Sequence, residues 1–234
     1  MTAVDLEWLH AQVAGTAPSV TDSDAVREMW ALLRDRAPGF ERVKDGVESA
    51  EIVTPRRGLH HDEAASFLRA VSAGLVVVDE AGYFTLPTVM PKTPVGRYAL
   101  FSRSGTAMSV NLEYVIQAGA TAELVLDQGW PAERVGFERG EFDAIAYDAS
   151  GRVVLAMEAK ARVTGSDSLE QLVRKWIGFA ANPDSDLSNN AGRKWRELRS
   201  YCSAGPVAVA LVADSARWSL AAHLDGGQLI LEPG

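Results

Sequence analysis

Asp143, Glu158 and Lys160 are predicted to converge at one end of a largely apolar hairpin over residues 141–160. Asp143 belongs to the first of two predicted strands, and Glu158 and Lys160 lie two residues apart in the second. Because residues two apart on a strand project from the same face, the spacing predicts that Glu158 and Lys160 share a face. Burying three ionisable groups beside Val, Leu and Met is costly unless they pair with one another or bind a metal.

These residue types offer the chemistry of metal-assisted phosphodiester hydrolysis. The hard oxygens of Asp143 and Glu158 suit Mg²⁺, with waters and a phosphate oxygen completing the octahedron. A metal in this position lowers the pKa of a bound water and polarises the phosphate. Lys160 would orient the attacking water or stabilise the developing charge. The alternative is a structural salt bridge between Lys160 and one carboxylate, which is common at strand ends.

The element that must position these residues is a β-hairpin with helices on either side of it. The turn at 148–151 is rich in residues that bend chains and joins the two strands. A helix capped by Ser109 and running to about Gln128 is predicted before the hairpin. The elements predicted after it are an amphipathic helix opening at Ser168, a basic helix over 193–201, an apolar strand over 206–212 and a closing hairpin over 217–232. This order predicts an α/β core with a mixed sheet.

Asp143 followed by the triplet Glu158-Ala159-Lys160 resembles the PD-(D/E)XK nuclease superfamily, and the resemblance covers about residues 105–215. The separation of the two acids suits antiparallel strands joined by a turn. The residue before Asp143 is Phe142, where the family pattern has proline. The resemblance implies a restriction-endonuclease-like core, in which helices flank a mixed central sheet.

The resemblance also implies a cofactor and a substrate. Mg²⁺ would be held by Asp143, Glu158 and the main-chain carbonyl of Ala159, and Mn²⁺ would be able to substitute for it. The implied substrate is DNA. Endonuclease and exonuclease action both stay open, as do a monomer and a homodimer.

Three further residues are candidates for the same site. Glu113 lies in the helix before the hairpin, which supplies an acid in many members of the family; the alternative is an exposed helical glutamate. Gln171 lies in the helix after the second strand, where a glutamine touches the site in some resolvase-like members; the alternative is a capping box with Ser168. Glu141 shares the strand face of Asp143, although an exposed acid is the usual interpretation at a strand start.

Basic residues after the hairpin form a candidate DNA-binding surface. In the predicted helix 193–201, residues three apart lie near one another on one face. Such a stripe contacts phosphates without specifying sequence, and the alternative is a solvated helix face. The predicted DNA-binding residues are Arg162, Arg174, Lys175, Arg193, Lys194 and Arg196.

Residues 1–90 are predicted to form an accessory domain, and 91–234 a nuclease-like domain, with the proline-rich stretch 87–94 as linker. Helices, one of them ending at Pro38-Gly39, precede a hairpin that turns at 79–82. This arrangement resembles a winged-helix module, a fold often used to bind DNA. Acidic residues outnumber basic ones in the accessory domain, which favours a helical cap or interaction domain.

The composition excludes several other classes of protein. A net charge of −8 and a pI of about 5.1 argue against broad, non-specific binding to nucleic acid. No apolar run reaches the roughly 18 residues of a membrane helix, and the N-terminus lacks the pattern of a secretion signal. Cys202 is the only cysteine, so no intrachain disulfide forms. These features predict a cytoplasmic protein without membrane association.

The sequence therefore predicts a Mg²⁺-dependent deoxyribonuclease of PD-(D/E)XK type with an accessory domain. The alternative is a protein that acts by binding only, either a catalytically inactive nuclease fold or a winged-helix DNA-binding regulator. Metal binding through Asp143 and Glu158 discriminates between the two interpretations.

Overall fold

The computed structural model describes residues 3–45, 52–53, 57–91, 96–104, 107–182 and 185–234. The α-helices within these ranges are α1 (Leu6–Gly15), α2 (Asp24–Asp45), α3 (His61–Ser72), α4 (Leu112–Leu126), α5 (Leu169–Ala181) and α6 (Asn190–Cys202). The strands are β1 (Ile52–Val53), β2 (Val77–Val78), β3 (Tyr83–Thr85), β4 (Met90–Pro91), β5 (Arg97–Ala99), β6 (Phe101–Ser104), β7 (Ala107–Val110), β8 (Val135–Phe137), β9 (Ala144–Tyr147), β10 (Val153–Ala159), β11 (Val207–Ala213), β12 (Ala216–Asp225) and β13 (Gln228–Pro233). No helix in the described part of the chain is long and apolar enough to cross a membrane.

The chain divides into two compact units. The first, here called the sheet unit, consists of the residues up to Pro18 together with Arg134–Gly234. The second, here called the helical unit, is Ser19–Glu133. The sequence-based boundary between residues 90 and 91 differs from this division at two places, residues 1–18 and residues 91–133, the second of which includes β5, β6, β7 and α4.

The N-terminal segment belongs to the sheet unit because its apolar residues join the core of that unit. Leu9 of α1 is fully buried, and the ring of Trp8 packs edge-on against that of Trp218, with 6.3 Å between centroids. The Val4 amide donates to the Leu231 carbonyl at 2.8 Å. A helical pattern in the sequence shows that one face is apolar, but it does not show which core that face covers.

Helix α4 belongs to the helical unit because it packs closely on α3. A Cβ added at Gly119 would lie 3.0 Å from the Cβ of Ser66, so the absence of a side chain allows this close approach. Arg69 of α3 donates to both carboxylate oxygens of Asp127, at 2.6 and 2.9 Å. The sequence placed α4 with the hairpin in one domain over 91–234, whereas its packing partner is an earlier helix.

Helix α2 is longer than predicted, because it continues through Pro38 to Asp45. Phe40, just beyond the proline, is buried and packs against the rings of Tyr83 and Phe101, with centroids 5.5 and 5.4 Å away. This packing offsets the hydrogen bond that a proline removes from a helix. The expected helix end at Pro38-Gly39 is therefore wrong.

Among the elements that the sequence predicts for the helical unit, one helix start also differs, and strands β4 to β7 are not predicted by the sequence. Strands β2 and β3 form the predicted antiparallel hairpin, within a three-stranded sheet of order β2-β3-β5. A second sheet has the order β1-β7-β6. Helix α4 begins after Asn111, and the predicted cap Ser109 lies in β7 instead. Residues 92–94 of the predicted linker lie outside the described residues.

Six strands of the sheet unit lie side by side in the order β13-β12-β11-β10-β9-β8. Strands β10 and β11 are parallel, and the other neighbouring pairs among these six are antiparallel. A parallel pair needs a crossover connection, which α5 and α6 supply. The fold is therefore α/β, with six helices in the described residues and a mixed central sheet, as the order of elements predicted.

Helices α5 and α6 pack on one face of this sheet through aromatic residues. Trp176 of α5 is fully buried, and its indole N–H donates to the Ala191 carbonyl of α6 at 3.2 Å. Its ring packs against those of Phe142 and Trp195, with centroids 6.5 and 6.4 Å away. Both helices are thereby fixed over the strands that carry Asp143 and Glu158.

Candidate functional site

The site lies where β9 begins and β10 ends. Ala144 of β9 pairs with Met157 of β10 in the antiparallel ladder, and Asp143 and Glu158 are the next residues along the two strands. Asp143 is 7% exposed and Glu158 only 1%. The predicted convergence of the two carboxylates therefore occurs, and it occurs out of contact with bulk water.

Lys160 lies on the same face as Glu158, as the spacing predicted. Its Nζ lies 3.2 Å from Glu158 Oε1, and the side chain is buried. The Lys160 amide donates to the Val212 carbonyl of β11 at 2.8 Å. Backbone pairing thus fixes the lysine at the end of its strand and holds the ammonium beside the carboxylate.

Asp143 is oriented by the backbone of the neighbouring strand. Its Oδ2 accepts a hydrogen bond from the Ala159 amide at 2.6 Å, and its own amide donates to the Met157 carbonyl at 3.1 Å. A charged acceptor on a backbone N–H is among the stronger hydrogen bonds in proteins. Ala159, whose carbonyl the sequence assigned as a third metal ligand, therefore contacts Asp143 through its amide; the role of its carbonyl stays a prediction.

A second lysine, Lys194 of α6, reaches the same carboxylate. Its Nζ lies 2.6 Å from Glu158 Oε2, donates to the Glu141 carbonyl and lies 5.4 Å from the centroid of the Phe142 ring. The sequence placed Lys194 on an exposed DNA-binding face, but the residue is 5% exposed. That placement is wrong because the α6 face in contact with the sheet includes this position.

A helical pattern contained the signal for this second lysine. Lys194 follows the buried Ala191 by three residues and precedes the buried Leu198 by four. Residues three and four apart share a helix face. A lysine on the buried stripe of α6 requires a buried acid as partner, and Glu158 is that acid.

Burial and charge act against each other in this cluster. Burial raises the pKa of Glu158 above its ordinary value, although Lys194 and Lys160 oppose the shift. Burial alone would lower the pKa of Lys160, but Glu158 and Asp167 outweigh it and the net pKa is raised. The shift of Glu158 therefore follows from its removal from water, whereas that of Lys160 follows from the carboxylates around it.

One oxygen of this cluster has incomplete hydrogen bonding. Glu158 Oε2 is buried and accepts no hydrogen bond from the described residues, although the Lys194 ammonium lies only 2.6 Å away. The ammonium therefore neutralises this oxygen mainly through its charge, and no other group within the described residues donates to it.

Gln171 is connected to the site through Asp167. Its Oε1 accepts from the Asp167 amide at 3.2 Å, while Ser168 Oγ accepts from the Gln171 amide at 3.2 Å. Gln171 therefore takes part in capping α5, but its side chain accepts from the Asp167 amide instead of the Ser168 amide. Asp167 has a positive φ of 51°, and its Oδ1 lies 3.5 Å from Lys160 Nζ.

The other two candidate acids lie in different surroundings. Glu141 Oε2 is paired with Arg193 Nε at 3.0 Å, so its carboxylate forms a partly exposed ion pair. Glu113 is exposed on α4 of the helical unit. A role for Glu113 in the site stays a prediction.

Five of the six predicted DNA-binding residues are exposed. Arg174 pairs with Glu170 at 2.8 Å, and Arg162 donates to Ser166 Oγ at 3.3 Å. The exposed residues are Arg162, Arg174, Lys175, Arg193 and Arg196. Their exposure allows contact with a phosphate backbone, and that role stays a prediction.

The donor set fits a hard divalent cation. Asp143 and Glu158 present carboxylate oxygens from adjacent strands, and one of these oxygens, Glu158 Oε2, lacks a directed hydrogen bond. No protein-family model, curated protein or solved structure matches the chain. The geometry of the site therefore carries the functional argument alone.

Proposed function

We propose that this chain is a metal-dependent nuclease of PD-(D/E)XK type that hydrolyses phosphodiester bonds in DNA. The observation that carries the proposal is the convergence of Asp143, Glu158 and Lys160 on adjacent strand ends. A carboxylate pair with a neighbouring ammonium is the set of groups that this hydrolysis requires, and burial makes each charge more effective.

Each residue has a separate role in the proposed reaction. Asp143 and Glu158 hold Mg²⁺ or Mn²⁺, together with the Ala159 carbonyl. The bound metal lowers the pKa of a water and polarises the phosphate. Lys160 orients the attacking water or stabilises the charge that develops on the phosphate.

The surrounding fold is compatible with a restriction-endonuclease-like core. Antiparallel strands β8, β9 and β10 lead into the site, and the crossover through α5 and α6 returns the chain to the parallel strand β11. The exposed basic residues Arg162, Arg174 and Arg193 lie in and around these helices. They supply phosphate contacts that position a strand without reading its sequence.

A binding-only protein is the second candidate, and one observation favours it. Both oxygens of Glu158 already lie beside ammonium groups, Lys160 and Lys194, so the carboxylate is neutralised without a metal. A DNA-binding role of the helical unit has less support, because Arg57 is held in a largely buried pair with Glu63 and acidic residues outnumber basic ones over residues 1–90.

The test is cleavage of supercoiled and linear DNA with Mg²⁺ or Mn²⁺, comparing wild type with Asp143→Asn. We expect metal-dependent cleavage that falls on the order of 10³-fold in the variant, since the metal site supplies several kcal/mol of charge stabilisation. The matched control is Asp127→Asn, the same change on the helical unit, which should cleave like wild type.

Calorimetry with Mn²⁺ separates the two candidates. A nuclease binds the ion in wild type and loses it in Asp143→Asn. Absence of both cleavage and metal binding in the wild type would reject the nuclease and leave the binding-only protein.

A further inference from the structure

The Lys194 ammonium lies against Glu158 Oε2, the oxygen through which the proposed metal would bind. Its Nζ lies 2.6 Å from Glu158 Oε2, in a cluster where Glu158 is 1% and Lys194 5% exposed. The same oxygen accepts no hydrogen bond from the described residues. An ammonium is a compact point charge, so it neutralises a carboxylate without the fixed geometry of a guanidinium.

We propose that Lys194 is a resident counter-ion that withdraws from Glu158 Oε2 when a divalent metal binds, and so sets the metal affinity of the site. This inference rests on the proposed metal-dependent function. Lys194 acts through Glu158 and is therefore a positioning residue. Its presence makes the metal-free protein stable and the site less receptive to metal.

Lys194 has partners that remain after such a withdrawal. Its Nζ also donates to the Glu141 carbonyl and lies 5.4 Å from the centroid of the Phe142 ring. A cation near an aromatic face is attracted by the ring. The ammonium can therefore leave the carboxylate without losing every favourable contact in a buried position.

The position of the Glu141 carbonyl is fixed by an acid on α6. The Glu141 amide donates to Glu197, and the Tyr201 hydroxyl donates to Glu197 Oε1 at 2.7 Å. Gly140, with a positive φ of 66°, gives the space for this carboxylate, because an added Cβ would collide with it. The acceptor for the withdrawn lysine thus exists before metal binds.

The other lysine is held in place and does not serve this purpose. Lys160 Nζ lies between Glu158 Oε1 at 3.2 Å and Asp167 Oδ1 at 3.5 Å, and Asp143 adds further attraction. Backbone pairing with Val212 fixes its strand end. Lys160 therefore stays beside Glu158 Oε1 when a metal binds, whereas Lys194 moves away from Glu158 Oε2.

The experiment is Mn²⁺ titration by calorimetry of wild type, Lys194→Met, Lys194→Gln and Lys194→Arg. Removing one positive charge beside the ligand should tighten Mn²⁺ binding by about tenfold or more in the Met and Gln variants. Lys194→Arg should restore weaker binding, because the charge returns. Lys44→Met removes a lysine charge from the helical unit and should leave the affinity unchanged.

Thermal unfolding gives a readout independent of cleavage. Without metal the Met and Gln variants should melt below wild type, since Glu158 loses a counter-ion, and added Mn²⁺ should raise their Tm more than that of wild type. If Lys194→Met does not fold alone, Lys194→Gln keeps a donor for the Glu141 carbonyl, and folding that returns on addition of Mn²⁺ supports the proposal.

The outcomes separate this inference from the proposed function. Equal or weaker Mn²⁺ binding by the Met and Gln variants, with a wild type that binds the ion, overturns the role of Lys194 and leaves the nuclease intact. No binding by any variant overturns both. Binding by the variants but not by wild type supports the counter-ion role and points to a protein kept metal-free.

Discussion

Glu63 and Glu158 are both buried glutamates with 1% of the side chain exposed, one in each unit. Glu63 is bound by a single guanidinium, because Arg57 donates to both of its oxygens. The His60 amide adds a third bond, at 3.1 Å to Oε2. Each oxygen of this carboxylate therefore has a directed partner.

Glu158 is neutralised in a different way. Two ammonium groups approach it from separate elements, Lys160 after β10 and Lys194 on α6, and its Oε2 receives no directed hydrogen bond within the described residues. A guanidinium satisfies both oxygens of a carboxylate with two directed hydrogen bonds. An ammonium group acts as a point charge without a fixed geometry, so another cation can replace it more easily. The difference agrees with a structural role for Glu63 and with the exchangeable ligand role that we propose for Glu158.

The largest effect on stability should come from Glu63→Gln. A neutral amide leaves the nearly buried Arg57 without its charge partner, and loss of one member of a buried pair costs about 3–5 kcal/mol. Urea denaturation of the whole protein, followed by tryptophan fluorescence, measures the change in the free energy of unfolding. Affinity for Mn²⁺ should not change, because Glu63 is not one of the proposed metal ligands. A loss of less than about 1 kcal/mol would contradict the structural role.

The next effect concerns the reaction. Lys160→Met should lower the rate of DNA cleavage by roughly 10²–10³-fold, the usual cost of removing one group that stabilises transition-state charge. Mn²⁺ binding should persist, because Asp143 and Glu158 remain. Single-turnover cleavage measures it, with Lys44→Met, which removes an exposed lysine of the helical unit, as the control. A folded Lys160→Met protein that cleaves normally would show that Lys160 serves only as an ion-pair partner.

Local periodicity predicted the parts of this site that lie on neighbouring positions of one hairpin. The spacing of Glu158 and Lys160 gave their shared face, and the turn at 148–151 gave the pairing that brings Asp143 beside them. Both depend on the two-residue period of a strand. The order of elements likewise predicted the mixed sheet.

Contacts between distant elements could not be read in the same way. Lys194 reaches Glu158 because α6 packs over β10. Helix α4 belongs to the helical unit because Gly119, which has no side chain, allows α3 to approach closely. Helical periodicity defines a buried face but not the surface that it covers. Leu9 shows the same limit, since its helix covers the core of the sheet unit.

A smaller effect tests whether Asp167 assists Lys160. Gln171→Ala removes the acceptor for the Asp167 amide, a loss of about 1 kcal/mol, which would slow cleavage by roughly fivefold if the effect passes to Lys160. Gln171→Glu keeps an acceptor oxygen and should cleave like wild type. Equal cleavage rates for Gln171→Ala and wild type would show that Gln171 serves only to cap α5.

The smallest effect on stability is expected at the exposed ion pair of Arg69 and Asp127, which can be compared with the buried pairs of Glu63 and Glu158. Hydrogen bonds from Arg69 hold the pKa of Asp127 below its ordinary value of 3.8, while partial burial opposes the shift. The stability from a lowered carboxyl pKa is present above pH 3.8 and is lost as the pH falls through the folded-state pKa.

Asp127→Asn should therefore reduce the free energy of unfolding slightly at pH 7, and by much less than Glu63→Gln, because water and salt screen an exposed pair. The difference between wild type and Asp127→Asn should begin to shrink below pH 3.8 and vanish once urea titrations pass below the lowered pKa of the folded state, where the wild-type carboxyl is protonated in both states. A difference that persists at the lowest pH would mean that hydrogen-bond geometry, rather than charge, joins α3 to α4. In that case the contrast between exposed and buried pairs would depend on geometry at both places.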